Sequence, residues 1–336
     1  MTQRDIALKV DKLSKVFDVS APLLNRMLER RPRQLLKAVD NVSFEVERGS
    51  SFSIVGESGC GKSTIARLVS GLYDTTRGTI AFGPGAEGRP MRVQMIFQDP
   101  HSSLNPRWYV GDIIAEPIRE MGLRNGPAET EARVRELLET VGLAADDAAK
   151  YPHEFSGGQR QRISIARALA AEPEVLVCDE PTSALDVSVQ AQVLNLMRRL
   201  QAELGLTYLF ISHDLSVVRH MSDHIAVMYL GRIVEQADIE TLFTRPRHPY
   251  SQMLLSTIPD IESPHRSRDA QVGEPPSPMN PPPGCSFNPR CPLANDRCRN
   301  EAPDLLAVEA ETHVAACHAV QEGRAPMHGL PHKTGT

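Results

Sequence analysis

Gly56-Glu57-Ser58-Gly59-Cys60-Gly61-Lys62-Ser63-Thr64 stands between the apolar run SFSIV (51–55) and a segment in which Ile65, Leu68, Val69 and Leu72 recur at helical spacing. Glycines in such a turn let successive backbone N–H groups point inward at phosphate oxygens, and the helix that follows adds partial positive charge at its N-terminus. Lys62 is placed to neutralise the β- and γ-phosphates of a nucleotide, and the Ser63 hydroxyl to ligate Mg²⁺. The stretch from Gly56 to Thr64 therefore reads as a phosphate loop, with Cys60 in it by packing rather than chemistry.

A phosphate loop needs a strand before it and a helix after it, and the chain around it repeats that alternation. The runs SFSIVG (51–56), VQMIFQD (93–99), EVLVCDE (174–180) and TYLFISHD (207–214) are continuously apolar before their polar ends. That is the pattern of parallel strands buried on both faces. Residues 6–17, 38–49 and 225–236 alternate instead, and the last of these folds about Leu230 and Gly231. They predict half-buried strands in an antiparallel subdomain beside the parallel core. Between Gln98 and the next core strand lies a helical stretch, about 101–170, in which Val134, Leu137, Leu138 and Val141 share one face and Gly142 stops a helix. The fold class is α/β.

Composition excludes several alternatives. The chain has 336 residues, 41% hydrophobic and 24% charged, which is enough to bury a sizeable core. Its 37 basic and 42 acidic residues sum to −5, so no nucleic-acid partner is expected. No apolar run reaches the ~18 residues of a membrane span, and the start lacks the apolar core of a secretory signal. Residues 275–292 carry eight prolines in 18 positions, which marks a linker at about 260–280, then a small cysteine-bearing appendage to about 322 and a loose tail over 323–336.

The run Val175-Leu176-Val177-Cys178 ends in Asp179 and Glu180, two carboxylates at the C-terminal edge of a buried strand, where ligands of α/β sheets bind. Asp179 suits Mg²⁺ held through water, and Glu180 suits orienting the attacking water or accepting its proton. Ser156, Gly157, Gly158 and Gln159 open a second helical stretch, ISIARAL (163–169), with a hydroxyl and backbone N–H groups at its start, a second phosphate binder.

FSGGQRQR (155–162) resembles the signature sequence of ATP-binding cassette (ABC) ATPases. With it come a glutamine loop at Gln98, a D-loop at Ser183-Ala184-Leu185-Asp186 and a switch histidine at His213, in the family's order. The resemblance implies a phosphate-loop ABC ATPase core over 1–260: parallel sheet, antiparallel β subdomain and helical subdomain. It implies ATP and Mg²⁺ as ligands, with Ser63, Gln98 and Asp179 around the metal, Glu180 and His213 at the γ-phosphate, and Phe17 stacked on adenine, a place where the alternative is an ordinary core phenylalanine. Two cassettes pair head to tail in this family, so Ser156 would face the nucleotide of a partner and Asp186 the partner chain.

MIFQDPHSSLNPR (95–107), RHPYSQMLLSTIP (247–259) and GEPPSPMNPPPGCSFNPRCPLA (273–294) resemble the ATPase subunits of oligopeptide/dipeptide-type importers. That implies a subunit peripheral to the cytoplasmic face of the inner membrane, powering uptake of di-/oligopeptides or a related solute. Its partners would be two transmembrane permease subunits, a second, non-identical ATPase and an extracytoplasmic solute-binding protein. The alternatives are a regulatory ATP-binding partner subunit and a soluble nucleic-acid-linked ABC ATPase.

Cys285, Cys291, Cys298 and Cys317 supply four thiols to a region with little core of its own, which a metal would replace. The spacing lacks the short knuckle of structural zinc, while iron–sulfur ligation tolerates varied spacings. The resemblance favours a [4Fe–4S] cluster; Zn²⁺ and unliganded thiols are the alternatives. His313 and His318 are read as surface residues before ligands.

Overall fold

Strands β1 (Ile6–Asp18) and β2 (Leu35–Glu47) pair antiparallel, and the phosphate loop leaves the end of β3 (Ser51–Val55) to enter helix α1 (Lys62–Val69). The computed structural model describes residues 5–21, 32–257, 274, 276–308 and 312–325. Most of the expected linker, and the tail beyond residue 325, lie outside the described residues. β4 (Arg77–Phe82), which the alternation of the sequence does not announce, pairs with β1 to complete a three-stranded antiparallel sheet.

The main sheet is built on β3, β5 (Val93–Ile96), β6 (Val175–Asp179) and β7 (Thr207–Ile211), parallel in the order β3-β7-β6-β5. These are the four continuous apolar runs, and the side-chain period of two shows why they are continuous. Leu176, Cys178, Tyr208 and Phe210 face one apolar layer, made with α2 (Val110–Glu120), α3 (Pro127–Thr140) and α4 (Gly157–Ala170). Val177, Leu209 and Ile211 face the other layer, made with Ile65 and Val69 of α1 and with Leu13, Val42 and Phe44 of the small sheet. Val134, Leu137, Leu138 and Val141 are all buried in the first layer, and Gly142, at φ 75°, takes the left-handed conformation that ends the helix.

Further along, α5 (Val187–Leu204) and α6 (Leu215–Met221) precede the hairpin of β8 (His224–Tyr229) and β9 (Arg232–Asp238). The hairpin turns at Leu230 and Gly231 as expected, but it belongs to the main sheet, with β8 parallel to β3. Its outer face is covered rather than solvated: Val227, Tyr229 and Val234 pack with Leu242 of α7 (Ile239–Thr244), Tyr250 of α8 (Pro249–Ser256) and Phe287. The C-terminal region extends the same sheet, because β10 (Leu306–Ala307) pairs with β11 (Val314–Ala315) and β11 with β9.

Buried polar groups bind that region to the core. Glu235 is fully buried and accepts hydrogen bonds from the backbone N–H groups of Arg247 and His248 at 2.7 and 2.9 Å and faces His313 Nε2 at 2.8 Å. His313 and His318 are thus interior residues, not surface ones; His318 Nε2 lies 3.0 Å from the carbonyl of Glu301. His248 caps α8 by accepting the Tyr250 N–H at Nδ1, 3.0 Å away, which requires that nitrogen to be unprotonated.

Burial pushes the His248 imidazole down to about 4 from its ordinary 6.5, against the opposing pull of Glu235. The unfolded chain takes up a proton near 6.5 and the folded chain does not, so this contribution is whole above that pH and is lost as the pH falls to about 4. Urea unfolding at about pH 7 and about pH 4.5 should show the parent losing about 2 kcal/mol more than His248→Asn, which keeps a capping acceptor without the titration. Equal losses would remove His248 from the acid limb.

Candidate nucleotide site

Parallel pairing brings the reactive side chains to one level. Ile96 of β5 is registered with Cys178 of β6, so Gln98 and Glu180 each emerge two residues beyond a paired position. Asp179 is registered with Ile211, and Ile54 with the same Ile211, which puts Gly56 and His213 just past the same edge. Gln98 Nε2 donates to Glu180 Oε2 at 2.9 Å, and His213 Nδ1 lies 3.1 Å from Glu180 Oε1. Both oxygens of the Glu180 carboxylate are therefore aimed by neighbours. Glu180 has φ 46°, a strained left-handed backbone for a non-glycine residue, and its N–H donates to the Ile211 carbonyl at 2.9 Å.

A cavity of about 530 Å³ opens at this edge. Ser58, Gly59, Cys60, Gly61, Lys62, Ser63 and Thr64 line it together with Gln98, Glu180 and His213. Phe17 closes the side toward the small sheet, in edge contact with Tyr73 at 5.5 Å between ring centroids. Lys62 is buried and its Nζ donates to the carbonyls of Gly56 and Glu57 at 2.8 and 3.0 Å, so the loop is curled around its own cation. Cys60 packs beneath it, its thiol pushed up by burial.

Glycine is required at two of these positions by close approach. A Cβ on Gly61, at φ 109°, would meet the carbonyl oxygen of Ala38 at 2.1 Å; one on Gly56 would meet that of Met228 at the same distance. The loop is thereby locked against β2 and β8, and Gly231 N–H donates to the Cys60 carbonyl at 2.9 Å. Leu230, Gly231 and Pro278 also line the cavity. Sequence reasoning did not place them there, since nothing local marks a hairpin turn or a distant proline as neighbours of the loop.

Ser63 Oγ donates to Asp179 Oδ1 at 2.9 Å. Asp179 is almost wholly buried, and burial raises its carboxyl pKa while the Ser63 hydrogen bond lowers it. A hydroxyl and a carboxylate side by side are hard oxygen donors of the kind Mg²⁺ prefers, so these residues fit the metal.

The signature residues are elsewhere. Ser156 caps α4, its Oγ accepting the Gln159 N–H at 3.3 Å while Gln159 Oε1 accepts the Ser156 N–H at 2.9 Å. Ser156, Gly157, Gly158 and Gln159 do not line the cavity, and neither does the exposed Asp186. They present a separate surface, on which Val187 is 83% exposed.

The tail thiols also converge. Cys285, Cys291, Cys298 and Cys317 are free and close enough that charge on one acts on another. Burial pushes Cys285 up to about 11 and Cys291 up to about 12. Among the described residues, however, no group of three or more His, Cys, Asp or Glu side chains is set to hold a metal ion. The Zn²⁺ alternative fails on that geometry, and His313 and His318 are committed to Glu235 and Glu301. A [4Fe–4S] cluster has no support from the arrangement of donors.

Comparison with known proteins fits this geometry. The family described as ABC transporter matches residues 39–183, and that described as oligopeptide/dipeptide transporter, C-terminal region, matches residues 234–298. A putative oligopeptide transport ATP-binding protein, YkfD of Bacillus subtilis, is 51% identical over 299 residues, covering 85% of this chain and 90% of its own. The chain belongs to the ABC transporter ATPases. The dipeptide transport ATP-binding protein DppF of Haemophilus influenzae is 50% identical over 286 residues, 82% of this chain and 86% of its own. Among solved structures, a post-hydrolysis state of the ATP-binding cassette MJ0796 bound to ADP and Pi matches with a TM-score of 0.57 at 25% identity, over 69% of this chain and 98% of that one. This ABC ATPase binds and hydrolyses ATP; among the described residues no helix is long and apolar enough to cross a membrane.

Removing the Asp179 charge while keeping its shape tests the metal site. Asp179→Asn should weaken Mg²⁺-dependent ATP binding by about tenfold or more, with metal-free nucleotide binding little changed, in titrations with and without chelator. Equal effects in both conditions would place Asp179 outside the metal site.

Proposed function

We propose that this ABC ATPase powers the import of di-/oligopeptides or a related solute. The observation that carries the reading is the match to the oligopeptide/dipeptide transporter C-terminal region at residues 234–298, joined to a cassette in which Lys62, Gln98, Glu180 and His213 line one cavity and Asp179 is bonded to Ser63. Peripheral attachment at the cytoplasmic face of the inner membrane follows, with two transmembrane permease subunits, a second, non-identical ATPase and an extracytoplasmic solute-binding protein as partners. The named relatives are peptide-transport ATP-binding proteins.

Lys62 and the backbone N–H groups of Ser58–Thr64 would hold the phosphates, and Phe17 the adenine. Ser63, Asp179 and Gln98 would hold Mg²⁺, which when bound neutralises charge on the phosphate oxygens. Glu180 orients the attacking water or takes its proton, its carboxylate kept in place by Gln98 and His213. Ser156, Gly157, Gly158 and Gln159, idle with respect to this chain's own cavity, would close on the nucleotide of the facing ATPase subunit, with Asp186 at the seam. Two separate half-sites on each chain make ATP the adhesive between two subunits, and hydrolysis releases them. The helical subdomain after Gln98 would take the motion to the permeases.

In the assembled transporter, Glu180→Gln should lower ATP turnover by about a hundredfold or more while ATP binding is retained and the closed pair accumulates. Turnover equal to the parent would take the role from Glu180 and favour a regulatory subunit whose partner does the hydrolysis.

The tail thiols carry a finer proposal, a [4Fe–4S] cluster, which rests on four cysteines being near one another and free of a disulfide, not on a ready-made donor set. A four-iron cube needs sulfurs set wider apart than one ion does, so failure as a single-ion site is compatible with it. Iron and acid-labile sulfide on anaerobically purified protein should come to about four each per chain and be lost in Cys291→Ser. Absence of iron in the parent would leave the four as plain thiols.

A further inference from the structure

Glu57 is an anomaly in the phosphate loop: a carboxylate in the turn that must receive a polyphosphate. Ser58 through Thr64 line the cavity and Glu57 does not. Its side chain is taken by Arg290 of the C-terminal region, 233 positions away in sequence, in a bidentate pair: Nη1 to Oε2 at 3.0 Å and Nη2 to Oε1 at 2.9 Å. Its backbone N–H donates to the Tyr250 hydroxyl at 2.9 Å. The loop is thus gripped at one residue by two groups from the last third of the chain.

Arg290 is itself fixed. Its side chain is 3% exposed, its Nη1 is 3.4 Å from the Tyr229 hydroxyl, and its guanidinium carbon lies 5.9 and 5.7 Å from the ring centroids of Tyr229 and Phe287. Tyr229, Tyr250 and Phe287 pack on one another with centroids 4.6 to 5.4 Å apart. A planar guanidinium wedged among aromatic rings has a set direction, which a lysine ammonium would lack.

We infer that Arg290 is a positioning residue of the ATP site, holding the Glu57 carboxylate out of the cavity and cancelling its charge beside the phosphates. Without it, an uncompensated anion in the phosphate loop would repel the nucleotide in proportion to the charge the nucleotide carries. Without Glu57, the same surplus is positive. A packing role alone makes neither distinction. The inference rests on the nucleotide site described above, and a parent chain that failed to bind ATP would defeat that reading rather than this one.

The test is the affinity of the full chain for ATP and for ADP, in the parent, Arg290→Gln, Glu57→Gln and the double variant. Arg290→Gln should weaken ATP about tenfold and ADP less, lowering the ATP-over-ADP preference by about threefold, with the deficit shrinking at high salt. Glu57→Gln should move the preference the opposite way, and the double variant should return toward the parent. If Arg290→Gln does not fold, the upward shift in Glu57→Gln decides the matter alone. Equal changes for ATP and ADP, shifts of the same sign in the two single variants, or an unmoved preference would each overturn the inference.

Discussion

The register between four parallel strands decides where Gln98, Asp179, Glu180 and His213 stand. β3, β5, β6 and β7 all run the same way and end at one edge, and the pairings of Ile96 with Cys178 and of Asp179 with Ile211 set the heights at which the chain leaves the sheet. A slip of one residue in β6 would exchange its two faces, taking Leu176 and Cys178 out of their layer and turning Asp179 away from Ser63. Each face of those strands packs into its own apolar layer, so a slip would break the contacts of both, and the same contacts that stabilise the core also hold Gln98 and His213 within hydrogen-bond reach of Glu180.

Around that edge the loop has little freedom. It is pressed between the Ala38 carbonyl on one side and the Met228 carbonyl on the other, which only glycines at 61 and 56 allow. Asp40 and Arg232 pair at 2.6 Å between β2 and β9, tying the small sheet that carries Phe17 to the main sheet that carries the phosphate loop. A change in the angle between the sheets would therefore be felt where adenine is expected. The curled Lys62, bonded to carbonyls of its own loop, is held at the cavity, where on the proposed reading it would exchange those partners for phosphate oxygens.

The C-terminal region is less an appendage than a continuation. β11 adds to the open edge of β9, Glu235 and His313 form a buried pair across that junction, and Phe287 enters a core cluster with Tyr229 and Tyr250. Proline density argued for a region without much core, and it is true that its strands are only two residues long. Its apolar side chains find their partners on the cassette instead of on each other.

Much of this was legible in the chain. Strand runs, the helix stop at Gly142, the hairpin turn at Leu230 and Gly231 and the phosphate loop are all written in patterns a few residues long, because side-chain period and turn chemistry act over that range. The residues that meet at the cavity edge, Gln98, Glu180 and His213, could be named for the same reason, each closing an apolar run. What could not be read is what depends on pairing across the sheet: that β8 lies beside β3, that β4 joins β1, that His313 is interior, that the four thiols make no single-ion site. Arg290 and Glu57 are the plainest case. Neither residue's neighbours in sequence hint at the other, and only the packing of β8, α8 and the C-terminal region around Phe287 brings a guanidinium to the one carboxylate of the phosphate loop.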